Sequence, residues 1–164
     1  MRADKPGLKK IRVLIVDDHP MTRAGLVHVI NHHPDLIVCG EAESAAQALD
    51  ILDSSRPDLL LIDITLPGKS GLELIKDVKA MRPELFMLVI SMHDESLYAD
   101  RVLRAGARGY ITKHEGGGKL MEAIRRVLSG IGYSPGRHRP SGPDSSWETN
   151  EPSSPRCRRS LLCF

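Results

Sequence analysis

Three carboxylates in this chain stand at the ends of apolar runs. Asp17 and Asp18 follow IRVLIV, and Asp63 closes DLLLID four residues before a Pro-Gly turn. A charge at the rim of a core is costly unless something pairs with it, and clustered acids raise one another's pKa until a cation joins them. A hard divalent ion such as Mg²⁺ suits such a pocket, because it takes one or two carboxylates, keeps several waters and accepts a phosphate oxygen. Two further groups close runs of the same kind. Ser91 ends FMLVIS with a hydroxyl able to donate to a phosphate oxygen, and Lys113 follows RGYIT with a compact ammonium suited to the same charge. Brought together, these residues could hold a metal ion and a phosphoryl group.

The elements that must position them follow from the apolar pattern. Five runs, at 11–16, 36–42, 58–63, 86–91 and 108–112, are nearly continuous, as in strands buried on both faces. Helical stripes fall after them: Ala45, Ala48, Leu49 and Leu52; more weakly Ala99, Val102, Leu103 and Gly106; and most cleanly Leu120, Ala123, Ile124, Val127 and Leu128. The stretches 20–32 and 70–81 read as the other two helices. Pro20 suits a first helical turn, and Pro67-Gly68 with Gly71 leave the third strand tightly. Fivefold alternation of strand and helix predicts an α/β, doubly wound parallel sheet with right-handed crossovers. Asp17 and Asp18 can meet Asp63 only if strands one and three are neighbours. That requirement yields the order 2-1-3-4-5, with the acids at the point where strand order reverses, outside the carboxyl ends where ligands bind in such sheets.

Composition narrows the function class. The 164 residues are 41% apolar but only 4% aromatic, so the core must rest on Leu, Ile, Val, Ala and Met. Formal net charge is +2; residues 1–130 hold 18 basic and 18 acidic side chains, and residues 131–164 hold five Arg against three acids. No basic footprint for nucleic acid is present in the body. Cys39, Cys157 and Cys163 show no metal-ligand or paired spacing, which favours a reduced, cytoplasmic setting, with Cys39 a small core residue. No signal peptide is visible and no run reaches the length of a membrane span. His19, His28, His32, His33, His93 and His114 are scattered over several elements and read as surface residues rather than a metal cluster.

DD at 17–18, D-x-x-x-P-G at 63–68, Ser91 and Lys113, each at the end of a core strand, resemble the receiver domain of bacterial two-component response regulators. DDHPMTRAGL, SMHDE and RAGARGYITK resemble the NarL/LuxR subfamily in particular. The resemblance covers residues 10–130 and implies a flavodoxin-like (βα)5 fold. It implies that Asp63 accepts a phosphoryl group from a histidine kinase, that Asp18 ligates Mg²⁺ directly and Asp17 partly through water, and that the Thr65 backbone carbonyl completes the protein ligands. Ser91 and Lys113 would then contact the phosphoryl oxygens. Ser91, moving toward the phosphate, would vacate space for Tyr110 to turn inward and so switch the face formed by the fourth helix, fifth strand and fifth helix. A receiver of this kind can pair with itself or with a related receiver. It is a signalling phosphoacceptor that promotes only its own phosphorylation and dephosphorylation, not an enzyme acting on other substrates.

Departures from the pattern are local. Leu66 stands where Met is common, a swap of similar volume, and His114 replaces a common proline. Gly116-Gly117-Gly118 should weaken the first turn of the last helix, since a helix-interior Gly costs about 1 kcal/mol. His93, two residues past Ser91, should flank the route of a water attacking the phosphoryl group.

Residues 1–9 read as an extension, and residues 131–164 as a disordered tail. That tail has 15 Pro, Gly or Ser among its 34 residues, no lysine against eight before it, and no helical stripe. The shift in usage points to a frameshift or truncation replacing a helix-turn-helix output domain, with a native disordered tail as the competing explanation. Direct DNA binding by this chain is not expected, although the ancestral output would be transcription regulation. Two other readings differ in class. An Mg²⁺-dependent phosphohydrolase with an aspartyl-phosphate intermediate would want a second Asp two residues after the nucleophile, where Thr65 stands. A flavodoxin-like binding module would want a Gly- or hydroxyl-rich loop where DDHP stands.

Overall fold

Strands and helices alternate strictly in the computed structural model, which describes residues 9–93 and 96–134. The expected disordered tail therefore lies outside the described residues from position 135 onward, as does the N-terminal extension up to residue 8. The elements are β1 (Ile11–Val16), α1 (Pro20–Asn31), β2 (Leu36–Ala42), α2 (Ala45–Ser55), β3 (Leu59–Asp63), α3 (Gly71–Met81), β4 (Phe86–Ser91), α4 (Ser96–Ala105), β5 (Gly109–Thr112) and α5 (Gly117–Leu128). All strand pairs are parallel, and the sheet order is β2-β1-β3-β4-β5.

Alternation along each inner strand divides the core in two. Leu14, Val16, Leu60, Ile62, Met87, Val89 and Tyr110 face α2, α3 and α4, where Ala48, Leu52, Leu74, Ile75, Val78 and Val102 meet them. Val13, Ile15, Leu59, Leu61, Leu88, Ile90 and Ile111 face α1 and α5, against Leu26, Ile30, Leu120, Ala123, Ile124 and Val127. Successive side chains of a strand point to opposite faces, so strands covered on both sides read as continuous apolar runs. Leu60 and Leu61 are fully buried on opposite faces, and truncating either to Ala would cost about 2–5 kcal/mol.

Local signals set the ends of the elements. Ser44 caps α2 by accepting from Gln47 N. Ser70 and Glu73 form a reciprocal capping box at the start of α3. Three details differ from the sequence expectation. β2, at the edge, is only partly covered, with Ile37 exposed, because one of its sides has no neighbouring strand. Register also slips between Val13 and Leu14, whose partners are Val38 and Gly40. Cys39 is thus the extra residue of a bulge and is only partly buried. Finally, Gly116 is the N-cap of α5 rather than part of its interior, leaving Gly117 and Gly118 as the helical glycines.

The fold also runs past residue 130. Tyr133 lies along the outer edge of β5, where its carbonyl accepts from Tyr110 N at 2.9 Å and its amide donates to Arg108 O at 3.1 Å. Its ring is buried, and Gly109 makes room for it: a Cβ at Gly109 would lie 2.9 Å from Leu88 and Val127 side-chain atoms and 3.2 Å from Tyr133 Cβ. Among the described residues, no helix is long and apolar enough to cross a membrane.

Candidate functional site

Register alone brings the first two acids together. Val16 pairs with Ile62, so the next residue on each strand, Asp17 and Asp63, emerges side by side at the carboxyl rim. Asp17 is held there by its amide, which donates to Ala42 O at 3.0 Å. Ser91 ends β4 opposite Thr112, and Lys113 is the next residue, its amide donating to Ser91 O at 2.7 Å. β4 lies between Lys113 and the acids, and parallel strands are about 4.8 Å apart. Only a long side chain can cross that gap. Lys113 does so: its Nζ donates to Asp63 Oδ2 at 2.7 Å and to Asp17 Oδ2 at 2.8 Å. All three side chains are buried, Asp17 completely.

The turn after β3 aims Asp63. Thr65 N donates to Asp63 Oδ1 at 3.1 Å, and Gly68, following Pro67, has a φ of 73°, the left-handed position a type II turn requires. Gly71 N then donates to Ile64 O at 3.1 Å. A Cβ on Gly71 would collide with the Asp63 carbonyl and come within 2.8 Å of Ile64 Cα. Helix α3 can start this close to the phosphoacceptor candidate only because that Cβ is missing.

Charge in the pocket is unbalanced. Burial by itself would lower the Lys113 pKa, but the hydrogen bonds to Asp17 and Asp63 outweigh it and hold the ammonium above its ordinary value. Three carboxylates against that one ammonium leave two negative charges. Asp18 Oδ1 is buried and has no hydrogen-bond partner. His19 Nδ1 stands 2.9 Å from it, yet the pair is not a hydrogen bond and becomes an ion pair only when the imidazole is protonated. Single ligand atoms of Asp17, Asp18, His19 and Asp63 all fall within 4.8 Å of one another. A hard divalent cation fits this donor set: it matches the excess charge and gives the orphaned Asp18 oxygen a partner. His19 is exposed, as the sequence leads one to expect, yet its ring reaches the acids; its place directly after the Asp17-Asp18 pair is the available signal.

Ser91 and Tyr110 are linked through one residue. His93 N donates to Ser91 Oγ at 3.0 Å, and the Tyr110 hydroxyl donates to the His93 carbonyl. Tyr110 is buried, its ring packed against α4, so the inward position is the one this structure holds. His93 itself is exposed at the mouth of the site, as is Thr65.

Comparison with known proteins adds the following. Residues 13–125 match the family model described as the response regulator receiver domain. The chain is 33% identical over 124 residues to the transcriptional regulatory protein DegU of Brevibacillus brevis, covering 76% of this chain and 52% of that protein. The chain thus spans about half the length of the curated relatives it matches. Among solved structures, a two-component response regulator of the LuxR family from Aurantimonas sp. SI85-9A1 superposes with a TM-score of 0.73 at 33% identity, covering 76% of this chain and 89% of that one. The isolated receiver domain of RcsB from Salmonella enterica serovar Typhimurium, in the presence of the phosphomimetic BeF3⁻, superposes with a TM-score of 0.72 at 25% identity, over 78% of this chain and 95% of that one.

Proposed function

The chain belongs to the response regulator receiver family of two-component signalling, and from that premise we propose that it accepts a phosphoryl group on Asp63 with Mg²⁺ bound beside it. The observation that carries this reading is the Lys113 ammonium spanning Asp63 and Asp17 next to the buried Oδ1 of Asp18, which accepts no hydrogen bond. Asp18, Asp17, Asp63 and the Thr65 carbonyl are the residues that would hold the ion. When bound, Mg²⁺ supplies charge neutralisation for the phosphoryl oxygens and the two excess carboxylate charges.

The residues of the chain do the rest by position. A carboxylate oxygen of Asp63 attacks the phosphorus of a phosphohistidine; the new P–O bond forms as the P–N bond breaks, and the departing imidazole nitrogen keeps the electron pair. Such in-line transfer asks for orientation and charge stabilisation more than for covalent help. Lys113, already at hydrogen-bond distance from Asp63, follows the charge onto the phosphoryl oxygens. The Ser91 hydroxyl donates to another of them. Because His93 joins Ser91 to Tyr110, movement of Ser91 reaches the surface made by α4, β5 and α5, where the altered face serves a partner receiver.

A sensor histidine kinase is the phosphodonor under this reading, and the protein works in the cytoplasm where such kinases present their phosphohistidine. RcsB is known as dimers bound to DNA; for this chain we propose pairing through the receiver. Among the described residues no helix-turn-helix follows α5, and we assign no DNA contact to them. Incubation with acetyl phosphate and Mg²⁺ tests the reading: the intact mass should rise by one phosphoryl group, Asp63→Asn should abolish the gain, and multiple turnover of the donor would instead favour a hydrolase.

A further inference from the structure

We propose that His28 and His32, at the C-terminal end of α1, form a surface site for a borderline divalent transition ion such as Zn²⁺, separate from the carboxylate pocket. Helical geometry continues through the cap: His32 has φ −67° and ψ −22°, and its amide donates to His28 O at 3.1 Å. Two residues four apart in a continuous helix share one face, and a histidine pair at this spacing presents two imidazole nitrogens to one zinc ion in helical metal sites. The ring centroids here are 6.4 Å apart, with planes inclined by 31°. Both residues are exposed, and no ring nitrogen of either has a hydrogen-bond partner among the described residues, so rotation to a shared ion breaks no hydrogen bond.

The surroundings select the class of ion. Ala24, Val27 and Asn31 line a shallow concavity with the two histidines, and no carboxylate lines it. A pair of neutral nitrogen donors suits Zn²⁺, Cu²⁺ or Ni²⁺ and offers nothing to Mg²⁺, which wants oxygen. The carbonyl end of a helix carries partial negative charge, which favours a cation there. His33 is the next residue, its ring edge-on to His32 at 6.2 Å, and it does not line the concavity that His28 and His32 share. Two protein ligands leave the remaining coordination positions to water.

Calorimetric titration of the full chain with Zn²⁺, in excess Mg²⁺, tests the assignment against His28→Ala, His32→Ala and His33→Ala. Every other metal-binding group stays in each variant, so the difference from the wild type isolates this site, and circular dichroism checks that each variant is folded. One equivalent should weaken by more than about tenfold in His28→Ala and in His32→Ala, since even removing a hydrogen-bond partner behind a ligand costs 10–100-fold. It should persist in His33→Ala. Superimposable titrations of wild type, His28→Ala and His32→Ala would overturn the site, as would an equal loss in His33→Ala.

Discussion

Lys113 Nζ lies 2.7 Å from Asp63 Oδ2 although the two residues are 50 positions apart and stand at the ends of β5 and β3, which β4 separates. The same nitrogen donates to Asp17 at 2.8 Å. Removing one partner of a buried charge pair leaves the other uncompensated and costs about 3–5 kcal/mol. Lys113→Met should therefore lower the unfolding free energy by that amount in EDTA. Mg²⁺ should restore part of the loss by taking over the carboxylates. Guanidinium melts with and without Mg²⁺ measure both, and an unchanged midpoint in EDTA would remove the pair from any account of stability.

Asp18 makes the opposite prediction. Its buried Oδ1 has no hydrogen-bond partner, and a buried unsatisfied group costs about 1–3 kcal/mol, more when charged. Asp18→Asn should stabilise the metal-free protein by about 1 kcal/mol while reducing the rise in Tm that Mg²⁺ produces. Thermal unfolding over a Mg²⁺ series distinguishes this from a merely structural aspartate, whose loss would lower Tm at every concentration.

Two glycines should respond with opposite sign. At Gly118 a Cβ would meet nothing within 4 Å, so Gly118→Ala should stabilise the protein by about 0.5–1 kcal/mol. At Gly71 the same atom would run into the Asp63 carbonyl and Ile64, and backbone cannot yield as a side chain can. Gly71→Ala should destabilise by about 1–3 kcal/mol and slow modification of Asp63. Denaturation curves of the two variants side by side check both signs.

Acid should undo the start of α3 late. The backbone amide of Ser70, and then its hydroxyl, hold the Glu73 carboxyl below its ordinary pKa. A group depressed in the folded state contributes stability above its unfolded pKa, and that contribution disappears as pH falls through the folded value. Protection factors of the Ser70 and Glu73 amides, which correct for the slower intrinsic exchange in acid, should therefore hold until pH drops below the usual glutamate range, then fall. Loss of protection already within that range would contradict the cap.

Much of this is legible in the sequence. The acids at the ends of apolar runs demanded adjacent first and third strands, and that single demand ordered the sheet. Lys113 and Ser91 could be assigned to the same rim because each closes a buried strand. Side-chain reach is less visible: His19 joins the pocket through approaches of its Nδ1 to Asp18 at 2.9 Å and to Asp17 at 3.5 Å that no periodicity encodes. The bulge at Cys39 arises from pairing register, which the hydrophobic pattern of a single strand does not contain. Tyr133 was hidden by its company, since a lone aromatic among Pro, Gly and Ser carries no repeat; it is β5's open edge that gives it a place.

Under the proposed function Asp63 itself becomes phosphorylated, and only with the metal site filled. Reductive trapping with borohydride reads this directly, because an aspartyl phosphate is reduced to homoserine at the modified position. After acetyl phosphate and Mg²⁺, peptide mapping should find homoserine at position 63, with none in EDTA. Homoserine at another aspartate, or at position 63 without Mg²⁺, would rule out Asp63 as a metal-dependent phosphoacceptor.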